Sequence, residues 1–282
     1  MEGRAFTFQF LFMKKLSVLL SLLALVLLPN VTGQTAKAQT HEVLITTNMG
    51  NMRVMLYDDC PRTVANFLSK VRSGYYDDSL FGRVMPTFMI QGGAPDSKTA
   101  LPGQSIGWGD ISEEIPAEIR KNHVPKKGAL CAPHREGVVN SDMSMFFIVD
   151  GYVMSEATLN NWEKTHNATA RKAAQRKVMT QSVKDSLAML KTTSIAEYNQ
   201  LARRINHNID SIARTMPGTR FFTPAEREAY STIGGAYHIY GEYTCYGEVV
   251  EGLDVISKIA ALESNAVNRP KTDVRMKIRV IK

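Results

Sequence analysis

The sequence predicts a mainly β fold, an antiparallel barrel or sandwich, interrupted by a helical insertion. Short apolar runs broken by Gly and Pro recur over Leu80–Gly151 and resume after residue 235. The last run, Val274–Val280, alternates apolar and basic side chains, as a strand with one buried face does. Between these regions, Ser155–Met216 contains neither Pro nor Gly and is rich in Ala, Lys, Arg, Asn and Met, which favours helices.

The first elements are a hairpin and a helix. Two β-prone runs, Val43–Thr47 and Met52–Tyr57, flank a turn-like segment of Asn and Gly. Pro61 suits the first position of a helix, and Ser73-Gly74 is a stop signal. Apolar residues recur between them at helical spacing, which predicts an amphipathic helix; they are Val64, Phe67, Leu68 and Val71.

The helical stretch is best interpreted as a hairpin inserted within the β domain. Ser194–Glu197 forms a capping-box pattern that starts one helix, and Pro217-Gly218 ends it. A longer, less regular helix precedes it, with the junction near Lys191–Thr193, and Thr223-Pro224 starts a further helix. We therefore expect a β domain over residues 39–151 and 233–282, and a helical insertion over 152–232.

The N-terminal segment resembles a secretory signal. Met13-Lys14-Lys15 is followed by an apolar run over Leu16–Leu28, which is shorter than the roughly 20 residues that span a bilayer. Residues 1–38 are thus expected to be a signal peptide, with Met13 as a possible start and cleavage after Gly33 or Ala38. The alternative is an uncleaved anchor. The prediction is a periplasmic protein with no stable membrane insertion after cleavage.

Charge and cysteine content exclude several classes of protein. The formal net charge is +7, part of which lies in the N-terminal segment, and 44% of residues are hydrophobic, as in ordinary globular proteins. Cys60, Cys131 and Cys245 are odd in number and widely spaced, which excludes a disulfide scaffold and allows at most one bridge. We interpret them as small buried hydrophobes. Metal-ligand spacing is lacking, so neither a metal nor a cofactor is expected.

The segment Phe81–Gly93 is the most informative in the chain. It follows the pattern F-H-R-V-x-x-x-F-M-x-Q-G-G at every position but one, and so resembles the cyclophilin signature. The resemblance covers residues 41–151 and 233–282, and it implies an eight-stranded antiparallel barrel capped by two helices, with peptidyl-prolyl cis-trans isomerase activity. Further segments agree in order and spacing: Pro61–Phe67, Ile115–Glu118, Gly128–Leu130, Phe146–Ile148 and Tyr246–Val249.

The resemblance also implies a site. Arg83 matches the catalytic arginine, whose guanidinium would stabilise the pyramidal nitrogen of a twisted Xaa-Pro bond. Gln91 matches a residue that binds the substrate backbone and steadies the arginine. The remaining positions match the proline pocket and its rim; they are Phe88, Met89, Phe147, His238, Ile239 and Tyr243. The expected partners are proline-containing polypeptides, namely unfolded exported proteins.

Three departures from the family pattern leave an alternative open. Gly82 replaces the usual His, Met145 replaces the usual Gln, and Pro133 falls where an Ala-Asn backbone contact is expected. These changes bear on turnover more than on proline binding. The alternative is therefore a weakly active or inactive chaperone that binds proline-containing segments, and an adaptor role is a third. His134, beside Pro133, is interpreted as a surface residue.

The insertion is basic. Residues 151–221 contain eleven Lys and Arg against five Asp and Glu. A solvated helix face is the ordinary meaning of such charges, and the sharper hypothesis is an arm that gathers acidic or unfolded chains beside the proline pocket. Nucleic acid is not expected, because aromatic residues do not interleave the basic ones.

Overall fold

The computed structural model describes residues 41–107 and 114–282. The predicted signal segment, residues 1–38, lies outside the described residues. Within the described ranges, none of the helices combines the length and apolar character needed to cross a membrane.

The described residues form ten strands: β1 Glu42–Thr47, β2 Gly50–Leu56, β3 Phe81–Met85, β4 Met89–Gly92, β5 Glu114–Ile115, β6 Ala129–Ala132, β7 Ser141–Asp142, β8 Phe146–Val149, β9 Thr244–Glu251 and β10 Met276–Val280. Eight of them form an antiparallel sheet in the order β10-β1-β2-β9-β6-β8-β4-β3. The two short strands β5 and β7 pair with each other outside this sheet.

The two outer strands of the sheet, β3 and β10, meet at one end. Leu80 and Arg275, each just before its strand, form an isolated antiparallel bridge. The Phe81 amide donates to the Val274 carbonyl at 2.9 Å, which extends this contact by one bond. The sheet is therefore curled, with its two edge strands in contact at one end, and the predicted eight-stranded antiparallel architecture is confirmed.

Two helices pack against the interior of this curled sheet. Helix α1 (Pro61–Arg72) begins with Pro61 and buries the apolar face that the sequence predicts. The last helix, Leu253–Ala260, is labelled α7 below and buries Val255, Ile256 and Ile259. The aromatic ring of Phe67 meets those of Phe146 and Tyr246 edge-on, with centroids 5.7 and 5.5 Å apart. Edge-to-face pairs of this kind stabilise a core beyond the area that they bury.

The helical insertion contains five helices rather than the two of a simple hairpin. They are α2 Glu156–His166, α3 Ala168–Val178, α4 Gln181–Thr193, α5 Ile195–Arg214 and α6 Pro224–Thr232. The predicted hairpin is present as α4 and α5, joined at Ser194, whose hydroxyl accepts from the Glu197 amide. The long upstream helix divides at Asn167, because its side chain exchanges two hydrogen bonds with the Arg220 backbone, at 2.7 and 2.9 Å.

The two backbone segments at the base of the insertion are hydrogen-bonded to each other. Tyr152 and Gly235 exchange backbone hydrogen bonds of 3.3 and 3.2 Å. A Cβ at Gly151 would lie 2.5 Å from the Cα of Gly235. The backbone segments that enter and leave the insertion are therefore too close for a side chain at position 151. The described residues form one compact unit. The boundaries of the insertion at residues 152 and 232 therefore stay a prediction.

Candidate active site

The site begins with a row of directly paired residues that crosses five strands. Arg83 on β3 faces Gln91 on β4, and Gln91 faces Phe147 on β8. Phe147 in turn faces Cys131 on β6, which faces Cys245 on β9. Side chains of directly opposed residues share one face of a sheet. All five therefore lie on the face of the sheet that points away from the interior core. The neighbouring residues Val84, Phe146 and Leu130 point into that core and are buried there.

Arg83 and Gln91 touch through their side chains. The Arg83 guanidinium donates to Oε1 of Gln91 at 3.4 Å. The amide nitrogen of Gln91 points the other way, to the sulfur of Met145 at 3.7 Å. Gln91 is thus held from both sides, which orients its carbonyl oxygen towards Arg83. Arg83 itself is exposed, so its guanidinium is free to meet a ligand.

A cavity of about 210 Å³ opens beside this pair. Arg83 and Gln91 form one wall, and Phe88, Met89 and Phe147 supply apolar surface. The cavity is also lined by Pro133, His134 and Tyr243. The structure therefore brings together six of the sequence-predicted site residues: Arg83, Phe88, Met89, Gln91, Phe147 and Tyr243.

The two other predicted residues stand beside the cavity and not in its wall. His238 and Ile239 belong to a short 3₁₀ turn, Tyr237–Ile239. The His238 ring lies 4.8 Å from that of Phe88. Ile239 is buried in the apolar cluster that contains Met89 and Phe147. His238 therefore lies at the edge of the cavity, and Ile239 packs behind its apolar wall.

His134 belongs to the cavity although the sequence analysis placed it on the surface. Its ring stacks on Tyr243, with centroids 4.3 Å apart and planes 23° apart. The Tyr243 ring meets Phe147 edge-on at 5.2 Å. The only sequence signal was its place next to Pro133, in a segment that departs from the family pattern. Its stacking partner is 109 positions away, so the local sequence around His134 gives no sign of the contact.

Two ionisable groups at the cavity, Tyr243 and His238, are shifted towards their neutral forms. Burial raises the pKa of Tyr243, and Glu242 adds to this effect while Arg83 opposes it. His238 keeps part of its surface in solvent, yet the packing around its ring lowers its pKa, with Glu242 as a smaller opposing influence. Neither ring therefore competes with Arg83 as a positive or negative group at neutral pH.

A second cavity of about 290 Å³ lies on the other side of Arg83 and Gln91. Gly82, Met145, Ile106 and Arg269 are among its lining residues. A Cβ at Gly82 would stand 2.8 Å from Cδ1 of Ile106. The glycine that departs from the family pattern therefore leaves room for the Ile106 side chain.

One group of side chains has the spacing of metal ligands. Asp59, Cys60 and His123 offer ligand atoms within 4.8 Å of one another. These side chains already have partners within the protein, since His123 lies 3.1 Å from the Asp59 carboxylate and 2.7 Å from the Cys245 carbonyl. Burial raises the pKa of Cys60 to about 12, which disfavours the thiolate that metals bind. The group is explained as a hydrogen-bonded cluster.

The comparison with known families decides the identity. Residues 42–180 and 218–280 match the family described as cyclophilin type peptidyl-prolyl cis-trans isomerase/CLD. The chain belongs to this cyclophilin family. The match includes every residue that lines the cavity beside Arg83 and Gln91, and it omits residues 181–217, which contain α4 and α5.

Curated relatives resemble this cyclophilin over part of their length. It is 28% identical over 240 residues to a putative bifunctional phosphatase/peptidyl-prolyl cis-trans isomerase of Streptococcus pyogenes, covering 83% of this chain and 37% of that protein. It is 35% identical over 120 residues to a putative peptidyl-prolyl cis-trans isomerase of Staphylococcus haemolyticus, covering 42% of this chain and 57% of that protein. The chain thus spans only part of either relative.

Solved structures include a cyclophilin type peptidyl-prolyl cis-trans isomerase of Cryptosporidium parvum, crystallised in the presence of the dipeptide Ala-Pro. It is 17% identical to this cyclophilin with a TM-score of 0.49, and the superposition covers 86% of this chain and 99% of that chain.

Proposed function

We propose that this chain is a peptidyl-prolyl cis-trans isomerase. The observation that carries the proposal is the Arg83 guanidinium, steadied by Gln91 at 3.4 Å, at the wall of a cavity lined by apolar side chains. Family membership supports the same activity. The reaction needs a cation beside a slot for a ring, and these residues supply both.

The chemistry follows from the electronic structure of the peptide bond. Rotation faces a barrier of roughly 18–20 kcal/mol because the nitrogen lone pair is delocalised into the carbonyl. As the bond twists, the lone pair returns to a pyramidal nitrogen, which can then accept a hydrogen bond. A donor placed there binds the twisted state better than either planar isomer, and this difference lowers the barrier. Arg83 is the donor in our proposal.

The apolar wall has the complementary task of holding the proline ring. Met89 and Phe147 are 2% and 4% exposed, so their positions are fixed by packing from behind. The ring would rest on them while the acyl side of the bond rotates past Arg83. Concave, preformed apolar surface with a few polar groups is the usual design of such a site.

The isomerase proposal is tested by a protease-coupled assay on an Xaa-Pro peptide, comparing wild type with Arg83→Ala. The control is Arg72→Ala, which removes an exposed arginine from the end of α1. We expect catalysis by wild type and by the control, and loss of catalysis in Arg83→Ala. Wild-type protein that leaves the uncatalysed rate unchanged would exclude the enzyme.

We further propose that the isomerase is exported to the periplasm and acts on unfolded exported proteins. The support is the sequence of residues 13–38, in which Lys14 and Lys15 precede an apolar run and small-residue cleavage sites. The test is cell fractionation followed by N-terminal sequencing of the processed protein. A mature chain that starts near residue 34 or 39 in the periplasmic fraction is the expected result, and unprocessed cytoplasmic protein would contradict it.

A second candidate function, a chaperone that uses the insertion, is favoured by the end of the hairpin. Met189 on α4 and Ile195 at the start of α5 are 58% and 63% exposed. Lys184 and Lys191 on α4 are exposed as well. Exposed apolar side chains of this kind suit an unfolded client chain.

The chaperone candidate is tested with the variant Met189→Asp/Ile195→Asp in a client-aggregation assay. A matched control carries Ser186→Asp, on the same helix. The arm hypothesis expects weaker protection from aggregation by the double variant with unchanged isomerase activity. Equal protection by the wild type, the double variant and the control would contradict a chaperone role of the insertion.

A further inference from the structure

The two sulfur atoms beneath the proline pocket nearly touch. Cys131 on β6 and Cys245 on β9 are direct cross-strand partners, and their Sγ atoms are 2.9 Å apart. Both residues are buried, with exposures of 0% and 4%. A disulfide requires Sγ atoms at roughly 2.04 Å, so a movement of about 1 Å or less, within the reach of side-chain rotation, would join them.

We propose that Cys131 and Cys245 form a disulfide bond in the mature protein, a cross-strand link directly behind the proline pocket. The sequence allows at most one bridge among three cysteines, and the fold selects this pair. The inference does not depend on isomerase activity. It relies on the proposed export only for the compartment in which the chain meets an oxidant.

The third cysteine is placed to remain a thiol. The Cys60 sulfur lies 3.5 Å from the Glu118 carbonyl and 3.6 Å from the Cys245 carbonyl, and both contacts are to backbone oxygen. Its thiol can donate to these acceptors, which a disulfide sulfur could not. Cys60 therefore serves as an internal reference, because a Cys131–Cys245 bond leaves one free thiol per chain.

The bond forms by exchange with a protein or small-molecule disulfide. The thiolate of one cysteine attacks the oxidant and forms a mixed disulfide, and the thiolate of the other displaces the remaining thiol. Two protons and two electrons leave the pair, and the oxidant becomes two thiols. Burial raises the pKa of Cys131, which disfavours the thiolate in the folded state. The exchange therefore takes place during folding, before β9 has closed over β6.

The position of the link connects it to the pocket. Cys131 faces Cys245 on one side and Phe147 on the other, and all three belong to one apolar cluster with Met89 and Ile239. The bond would also join strands that are separated in the chain by the whole insertion, since the two cysteines lie 114 positions apart. It would fix the strand behind Phe147 and thereby the wall against which the ring rests.

The test counts thiols on the whole chain. The protein is refolded in a mixture of reduced and oxidised glutathione, then unfolded and alkylated without reductant. We expect one alkylated cysteine, Cys60, and a proteolytic fragment pair joined through Cys131 and Cys245. Three alkylated cysteines, or a linkage that includes Cys60, would overturn the proposal.

Two cysteine variants check which thiols form the bond. Cys60→Ala should keep the bond and leave no cysteine to alkylate, whereas Cys131→Ser should leave two. Because the count is made on wild-type protein, a variant that fails to fold does not affect it. Isomerase activity is measured on the oxidised and the reduced wild-type forms, so loss of the disulfide proposal and loss of the enzyme proposal are seen separately.

Discussion

The guanidinium of Arg83 and the amide oxygen of Gln91 are joined by a 3.4 Å hydrogen bond between direct partners on β3 and β4. The other end of the Gln91 amide lies on the sulfur of Met145. In the proposed mechanism Gln91 is therefore a positioning residue for Arg83. A catalytic group that is fixed before the substrate arrives needs no reorganisation during the reaction.

Gln91→Ala should lower kcat more than it changes KM. Without the amide oxygen the Arg83 side chain loses its orientation, and misplacement of a catalytic group costs between about tenfold and a hundredfold in rate. The proline slot is intact, so KM should stay within about twofold. Steady-state kinetics checks this, with Gln200→Ala on the exposed face of α5 as control. A rise in KM at constant kcat would show that Gln91 acts only in binding.

Gly82→Ala should destabilise the protein through Ile106. The new Cβ would stand 2.8 Å from Cδ1 of Ile106, the end of a flexible side chain, so relieving the contact should cost at most about 1 kcal/mol in the free energy of unfolding. Ile106→Val removes that Cδ1 atom. The double variant should therefore be more stable than the sum of the two single changes predicts. Urea denaturation of the four proteins measures the coupling, and strict additivity would contradict the contact.

Arg220→Met should destabilise the base of the insertion. Arg220 donates to the Glu226 carboxylate at 3.2 Å and lies 3.7 Å from the centre of the Tyr240 ring, and Glu226 is only 1% exposed. Removing the arginine leaves a buried carboxylate without its charged partner, with only the bond from the Thr223 amide at 2.7 Å among the described residues, which costs about 3 kcal/mol or more. Arg203→Met, an exposed position on α5, is the control. A loss below about 1 kcal/mol, the range of surface pairs, would show that the pair is solvated.

Cys60 should resist alkylation in the folded protein at alkaline pH. Burial raises its pKa to about 12, with Asp59 as the next cause. The folded state therefore keeps the proton that the unfolded state releases near pH 9, and the thiolate needed for reaction is scarce between these values. Reaction with iodoacetamide at pH 9, followed by mass spectrometry, should label Cys60 only in urea. Labelling of the native protein at the rate of the unfolded chain would refute this environment.

The sequence predicted the β elements well where one face of a strand is buried. The alternation over Val274–Val280 gave β10 with the correct inward set, since Val274, Met276 and Ile278 are at most 1% exposed. Helix α1 was predicted equally well, because Pro61 and the spacing of the apolar residues indicate the same helix. In both cases local chemistry and tertiary burial select the same structure.

The sequence could not divide the insertion correctly. Helices α2, α3 and α4 read as one segment because no Pro or Gly separates them. The break at Asn167 arises from hydrogen bonds to Arg220, 53 positions away. A helix end that is stabilised by a distant backbone segment has no local signal, so propensity extends the helix through it.

Arg83, Gln91 and Phe147 could be grouped before the structure was known only through the family resemblance. They lie on three strands, and their common row depends on the register of β3, β4 and β8, which periodicity does not set. His134 shows the limit of the resemblance. Its ring lines the cavity because it stacks on Tyr243, and His134 itself lies in a segment that departs from the family pattern.

Exchange spectroscopy by NMR on an Xaa-Pro peptide tests the role of Arg83 most directly, because it measures binding and isomerisation in the same sample. We expect Arg83→Ala to bind the peptide within about threefold of wild type and to lose roughly 10² to 10³ in the catalysed rate of cis–trans exchange. Unchanged exchange in Arg83→Ala, at a peptide affinity equal to that of wild type, would contradict stabilisation of the twisted bond by this guanidinium.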